Sequence, residues 1–190
     1  MGRFNASRNS LAGEQVSRFA APNAVGGGFD GAAKAQTRIQ KINGEIITTI
    51  LVDLQGLLVS GTVKDVIGED GVAAAYITQI TTAKNGVIYK AEMSCIEAPA
   101  GSNTTADIDL VSNSDSLAED ATFDSAGTAT ALIVAGGAYT KGMYKITAAS
   151  TNLSNCVSDY LYLTNGSGAN SGGTYTAGKF VIKLYGSAFT

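Results

Sequence analysis

The stretch Glu45-Ile-Ile-Thr-Thr-Ile-Leu-Val-Asp-Leu-Gln55 decides the fold. Ile46, Ile50, Val52 and Leu54 alternate there against Thr49, Asp53 and Gln55, and a period of two belongs to a strand with one buried face. The alternation recurs down the chain. Val87, Tyr89, Ala91, Met93 and Cys95 fall on one face of a second run, with Lys90, Glu92 and Ser94 on the other. Asn85-Gly86 stands between that run and Tyr76-Ile77-Thr78-Gln79-Ile80, and both residues tolerate the positive φ of a type I′ turn, which predicts a hairpin over 74–97. Further strands are expected at Thr104–Ser112, Met143–Ala148, Asp159–Asn165 and Lys179–Gly186, separated by turn clusters such as Gly166–Gly173. Residues 117–142 stay open, because Thr128–Ala138 is apolar enough for a strand and Ala-rich enough for a short helix. Strands without an intervening long helix predict an all-β chain: an antiparallel β-sandwich or jelly-roll-like domain with an extended N-terminal arm.

Composition agrees with one such domain. The 190 residues include 23 Gly and only 2 Pro, with 45% hydrophobic and 15% charged residues, enough apolar surface for one core. His is absent. Its loss removes the usual general base near neutral pH, and with it Ser-His-Asp triads, Cys-His dyads and His-ligated zinc. The expectation is that the chain is not an enzyme and holds no cofactor. Cys95 and Cys156 are too few for a disulfide framework. No stretch has the apolar length of a signal peptide or a membrane span, so a soluble chain made in a cytoplasm, with reduced thiols, is expected. The sequons at Asn5, Asn103, Asn152 and Asn165 are those that an Asn-, Ser- and Thr-rich chain produces by chance.

Charge divides the chain. Residues 1–44 hold six basic and two acidic side chains, or +4, whereas residues 45–190 hold seven basic and fourteen acidic ones, or -7. Large apolar residues are sparse and aperiodic before Gly44. That part reads as an extended basic arm over 1–44, ordered by what it touches, ahead of an acidic β-domain over 45–190.

Several chemical motifs were weighed. Gly173-Thr-Tyr-Thr-Ala-Gly178-Lys179 has the G-x-x-x-x-G-K spacing of a phosphate loop, but Phe180 replaces the Mg²⁺-binding Ser/Thr and a strand follows where a helix is needed. Gly26, Gly28 and Gly31 match G-x-G-x-x-G without a preceding strand, and read as a flexible joint in the arm. Asp107 and Asp109 share one strand face in an acidic stretch running to Asp124, and their repulsion would be relieved by a cation or a basic partner. They are weak metal candidates, since the spacing is not that of an EF-hand; the competing reading is a solvated acidic edge. Glu119-Asp120 and Asp107/Asp109 are carboxylate pairs without the aromatic cleft of a glycosidase. Cys95 lies on an apolar strand face as a small core residue, and Cys156 lies in a loop with no His to activate it. Tyr160, Tyr162, Tyr175 and Tyr185 are core residues or a stacking platform for sugars; a domain at -7 repels nucleic-acid phosphates, so no nucleic acid is expected as partner.

Four runs carry a resemblance: GTVKDVIGEDG (Gly61–Gly71), AAAYITQITTAKNGVIYKAEMSCIEAPAG (Ala73–Gly101), DIDLVSN (Asp107–Asn113) and DYLYLT…YTAGKFVIKLYG (Asp159–Gly186). Together these resemble a small virion structural protein of tailed phages, in particular the marine cyanophage type. The resemblance implies a capsid decoration or cement protein without catalytic residues, partnered by the major capsid protein at the virion surface, with no membrane. The arm lies outside those runs. A physical argument assigns it capsid anchoring through Arg3, Arg8, Arg18, Lys34 and Arg38, with the β-domain facing outward as a homo-oligomer, possible as a trimer on a lattice axis. The rival is an adhesin or carbohydrate-binding module on a head or fibre surface.

Overall fold

The computed structural model describes residues 25–30, 34–167 and 171–188. A helical turn, α1 (Gly27–Asp30), precedes β1 (Ala35–Ile42) and β2 (Glu45–Asp53). The chain continues through β3 (Leu58–Val59), β4 (Thr78–Gln79), a second helical turn α2 (Thr82–Asn85) and β5 (Val87–Ala100). It closes with β6 (Ile108–Asn113), β7 (Ala129–Ile133), β8 (Tyr144–Ile146), β9 (Tyr160–Asn165), β10 (Gly173–Thr174) and β11 (Ala177–Ser187). All strand pairs are antiparallel. One sheet has the order β1-β2-β11-β5-β8, a second β4-β9-β6-β7, and β10 pairs with β3 apart from both.

The two large sheets form an antiparallel β-sandwich. Ile50, Val52, Phe180, Ile182, Leu184, Ala91 and Met93 on the first sheet share one buried cluster with Ile108, Leu110, Leu161 and Leu163 on the second. Alternation turns Val111 and Tyr162 to the other side of the second sheet, where Val66, Ala75 and Leu117 cover them in a separate cluster. The loops around 65–76 and 115–123 therefore make a third layer. Its seams are backbone hydrogen bonds, among them Ala75 N–H to Leu117 O at 2.9 Å and Val66 N–H to Ala121 O at 3.0 Å.

Three expectations are corrected. The arm does not extend to residue 44, because β1 is a full strand of the first sheet, with Ala35 opposite Val52 and Ile42 opposite Glu45. Asn43 and Gly44, with φ of 50° and 84°, make the two-residue turn that joins β1 to β2. The Gly-rich joint is packed as well. Gly26 N–H bonds to Tyr76 O at 2.9 Å and Gly28 N–H to Ala74 O at 3.0 Å, and a Cβ on Gly28 would stand 2.7 Å from Ala75 Cα. Phe29, 1% exposed, enters the main core behind them. Residues 1–24 and 31–33 lie outside the described residues.

The hairpin over 74–97 does not form. β4 pairs with β9 instead, and Asn85-Gly86 ends α2. The reason lies in two side chains. Thr81 Oγ1 accepts from Lys84 N–H at 3.3 Å as an N-cap, while Asn85 is buried with Oδ1 accepting from Thr81 N–H at 2.9 Å and Nδ2 donating to Thr48 Oγ1 at 2.8 Å. Asn85 thus ties α2 to β2.

The third correction concerns phase. Tyr185 is opposite Lys90 and Gly186 opposite Ile88, so Tyr89 is the extra residue of a β-bulge. Ile88 points inward and Tyr89 is 55% exposed, the reverse of simple alternation. Within 117–142, the open segment resolves as strand β7, with Leu132 and Ile133 buried.

Asn85→Ala should strand the Thr81 amide and the Thr48 hydroxyl in a buried place, lowering stability by about 1–3 kcal/mol in equilibrium urea unfolding.

Candidate functional site

The proposed anchoring residues do not share one element. Arg3, Arg8 and Arg18 lie outside the described residues. Lys34 precedes β1 and its Nζ donates to Gln55 O. Arg38 is a sheet residue opposite Thr49 on the outward face, and its Nε is covered without a hydrogen-bond partner among the described residues. Lys34 and Arg38 therefore belong to the domain, where they dress the end and the outer face of the first sheet.

Asp107 and Asp109 are not a solvated edge. Asp107 is buried, with Oδ1 accepting from Gly137 N–H at 3.2 Å and Oδ2 accepting from Ser167 Oγ at 3.0 Å. Asp109 Oδ1 accepts from Ala135 N–H at 2.7 Å. The two carboxylates pin the turn after β7. Among the described residues no three His, Cys, Asp or Glu side chains converge as metal ligands. Two further buried acids have similar work: Asp65 accepts from Ser60 Oγ at 2.6 Å and Thr122 Oγ1 at 2.7 Å, and Asp159 from Ser112 Oγ at 2.7 Å. Burial holds the Asp109 and Asp159 carboxyls above their ordinary 3.8, in spite of these donors.

Both cysteines are buried, and burial pushes both thiols up, away from the thiolate that a nucleophile requires. The loop reading of Gly173–Lys179 also resolves structurally. Gly173-Thr174 pairs with β3, and Lys179 bonds Glu97 Oε2 at 2.7 Å from within β11.

The tyrosines divide by depth. Tyr162 and Tyr175 are core residues; Tyr162 OH donates to Asp115 O at 2.8 Å and Tyr175 OH to Thr105 O at 2.8 Å. Tyr160 packs on Tyr76 with ring centroids 4.7 Å apart. Only Tyr185 of the four reaches the outer face of the first sheet, where it meets two tyrosines that sequence reading did not single out. Tyr89 is 55% and Tyr144 52% exposed. The signal for Tyr89 is the bulge, which no period reveals; that for Tyr144 is its place on a three-residue edge strand.

These side chains gather around Glu92. Its carboxylate accepts from Tyr185 OH at 2.8 Å and Tyr144 OH at 3.1 Å, and pairs with Lys90 Nζ at 2.5 Å. Lys90 also lies 4.8 Å from the centre of the Tyr185 ring. Burial pushes the Glu92 carboxyl up, but the bonds from Lys90, Tyr185 and Tyr144 outweigh it and leave Glu92 below the ordinary carboxylate range. Tyr89 OH donates to Glu45 beside them. The arrangement is a rigid, half-apolar surface with fixed donors and acceptors. Its carboxylate is already occupied by Lys90, Tyr185 and Tyr144.

No protein-family model, curated protein or solved structure matches the chain.

Two measurements follow from the acids. Asp107 and Asp109 are satisfied by backbone and hydroxyl donors, so the melting temperature should stay unchanged on adding Ca²⁺ or chelator; a calcium-dependent rise would restore the metal reading. For Asp109 and Asp159 the folded-state pKa is raised, so between 3.8 and that raised value the folded chain holds more protons than the unfolded one, and this contribution to stability falls as pH rises. Asp109→Asn should flatten that fall, with its gain over the parent largest near neutral pH and absent below the ordinary carboxylate pKa, as read from urea midpoints across pH.

Proposed function

We propose that the chain is a structural component of a tailed-phage virion, a decoration or cement protein that binds the major capsid protein and turns its β-domain outward. The observation that carries this reading is how the reactive side chains are used. Asp65, Asp107, Asp109 and Asp159 hold turns and strands by accepting hydrogen bonds, and both cysteines are packed in the core. The resemblance of four runs between residues 61 and 186 to phage structural proteins supports the context.

With β1 inside the sheet, anchoring falls to a shorter segment. Residues 1–24 carry three basic and one acidic side chain, or +2, and residues 25–190 ten basic and fifteen acidic ones, or -5. The segment enters the domain where Phe29 is fixed in the core, so tension on it is transmitted to the sandwich itself. Attraction between its arginines and an acidic shell adds to avidity over many lattice copies, whether the unit is a single chain or a trimer.

A second reading is favoured by one observation, the exposed pair Tyr89 and Tyr144 beside Glu92 and Lys90. Aromatic faces with fixed polar neighbours stack on sugar rings, which is the surface an adhesin uses.

Replacing Arg3, Arg8 and Arg18 together by Glu in the full chain should abolish binding to particles stripped of the protein while leaving the melting curve unchanged. Undiminished attachment would remove the anchoring role. Retention on host polysaccharide that Tyr144→Ala abolishes would favour the adhesin.

A further inference from the structure

The acidic excess of the domain is concentrated on one side. The third-layer loops, residues 64–70 and 115–124, hold Asp65, Glu69, Asp70, Asp115, Glu119, Asp120 and Asp124 against a single base, Lys64, which pairs with Asp124 at 2.6 Å. Asp70 and Asp120 are exposed. Burial pushes the Glu119 carboxyl up, and the charges of Asp120, Asp70 and Asp65 push it the same way, so this layer is crowded with like charge.

The opposite side is different. On the outer face of the first sheet the carboxylates are occupied: Glu92 by Lys90 and two tyrosines, Glu97 and Asp53 by Lys179, Glu45 by Tyr89. Two cations remain. Arg38 and Lys183 flank Thr49 in one cross-strand row, and neither has an ion-pair partner among the described residues. Beyond Lys183 the row passes through Glu92, already held by Lys90 and the two tyrosines, and ends at Ile146, 50% exposed, with Tyr144 on the same edge strand. The face thus offers two unpaired cations beside exposed apolar surface.

We propose that the outer face of the five-stranded sheet of one copy seats on the acidic loop layer of a second copy, with Arg38 and Lys183 meeting the carboxylates around Asp70, Glu119 and Asp120. The occupant follows from charge complementarity between two surfaces of the same chain. Because the four-stranded sheet separates those surfaces, the contact is back to front and uses a different patch on each copy. Such a contact continues from copy to copy, or closes into a ring if successive copies tilt. The inference does not rest on the virion reading and stands or falls separately from it.

Sedimentation velocity on the full-length chain tests it. Association should be present at about 0.01 M salt and lost towards about 1 M, as the screening length shrinks from about 30 Å to about 3 Å. Arg38→Glu with Lys183→Glu, and separately Asp70→Lys with Asp120→Lys, should each weaken self-association at least about tenfold. Mixing the two double variants should recover it, since each reversed surface now meets its complement. The inference is overturned by a chain that stays monomeric at low salt, by variants that associate like the parent, or by a mixture that fails to recover. A loss with the Arg38/Lys183 variant alone would mean a face-to-face dimer and would also overturn it. Melting curves guard against misfolding, and Arg38→Gln with Lys183→Gln replaces the reversal should that variant fail to fold.

Discussion

Everything in the first sheet depends on β11 being flanked on both sides. Ile182 lies opposite Ile50 on β2 and opposite Met93 on β5, and all three are fully buried. Without β11 the β1-β2 hairpin and the β5-β8 pair would be separate ribbons, each with one apolar face and no partner sheet. The strand also supplies Phe180, whose ring meets Tyr139 edge-on at 5.0 Å, and so joins the sheet to the turn that Asp107 and Asp109 hold. Outer surface and inner core are two faces of one strand: Lys183 and Tyr185 outward, Ile182 and Leu184 inward.

The polar interior follows from that arrangement. A sandwich whose loops fold back over one sheet buries backbone amides that no strand can pair, and short acidic or hydroxyl side chains are the cheapest acceptors for them. Asp107 and Asp109 serve the turn after β7 and Asn113 another; Asn113 Oδ1 accepts from Asp115 N–H at 2.7 Å while its Nδ2 donates to Phe123 O at 2.6 Å. Net acidity in this chain is therefore partly structural, and only the exposed remainder is available to a partner.

The all-β architecture was legible because β2 and β11 are half-buried strands whose inward side chains are apolar except for Thr48, and packing enforces that period. β1 was not, since an edge strand partly exposed on both faces has no need to alternate: Gln36, Arg38 and Gln40 stand among Thr37 and Ile39. The same dipeptide was misread at one place and overlooked at another. Asn85-Gly86 has the composition of a hairpin turn, but its side-chain bonds to Thr48 and Thr81 are long-range facts that no local pattern contains; Asn43-Gly44 makes the turn. Asp107 and Asp109 were visible as a pair with a shared face, yet what relieves their repulsion is the backbone of residues 135 and 137, more than twenty positions away. The exposed tyrosines escaped notice because a bulge and a short edge strand, rather than residue type, set their exposure.

A central strand that arrives late imposes a schedule on synthesis. Ile50 and Ile182 are neighbours in the sheet and 132 positions apart in the chain. At ordinary elongation rates β2 waits on the order of ten seconds for its partner. During that interval the β1-β2 hairpin is a two-stranded ribbon with Ile46, Ile50 and Val52 uncovered, the kind of edge that pairs with any nascent neighbour. Translation speed between these strands, and whatever shelters the growing chain meanwhile, therefore bears on how much protein reaches the native sheet.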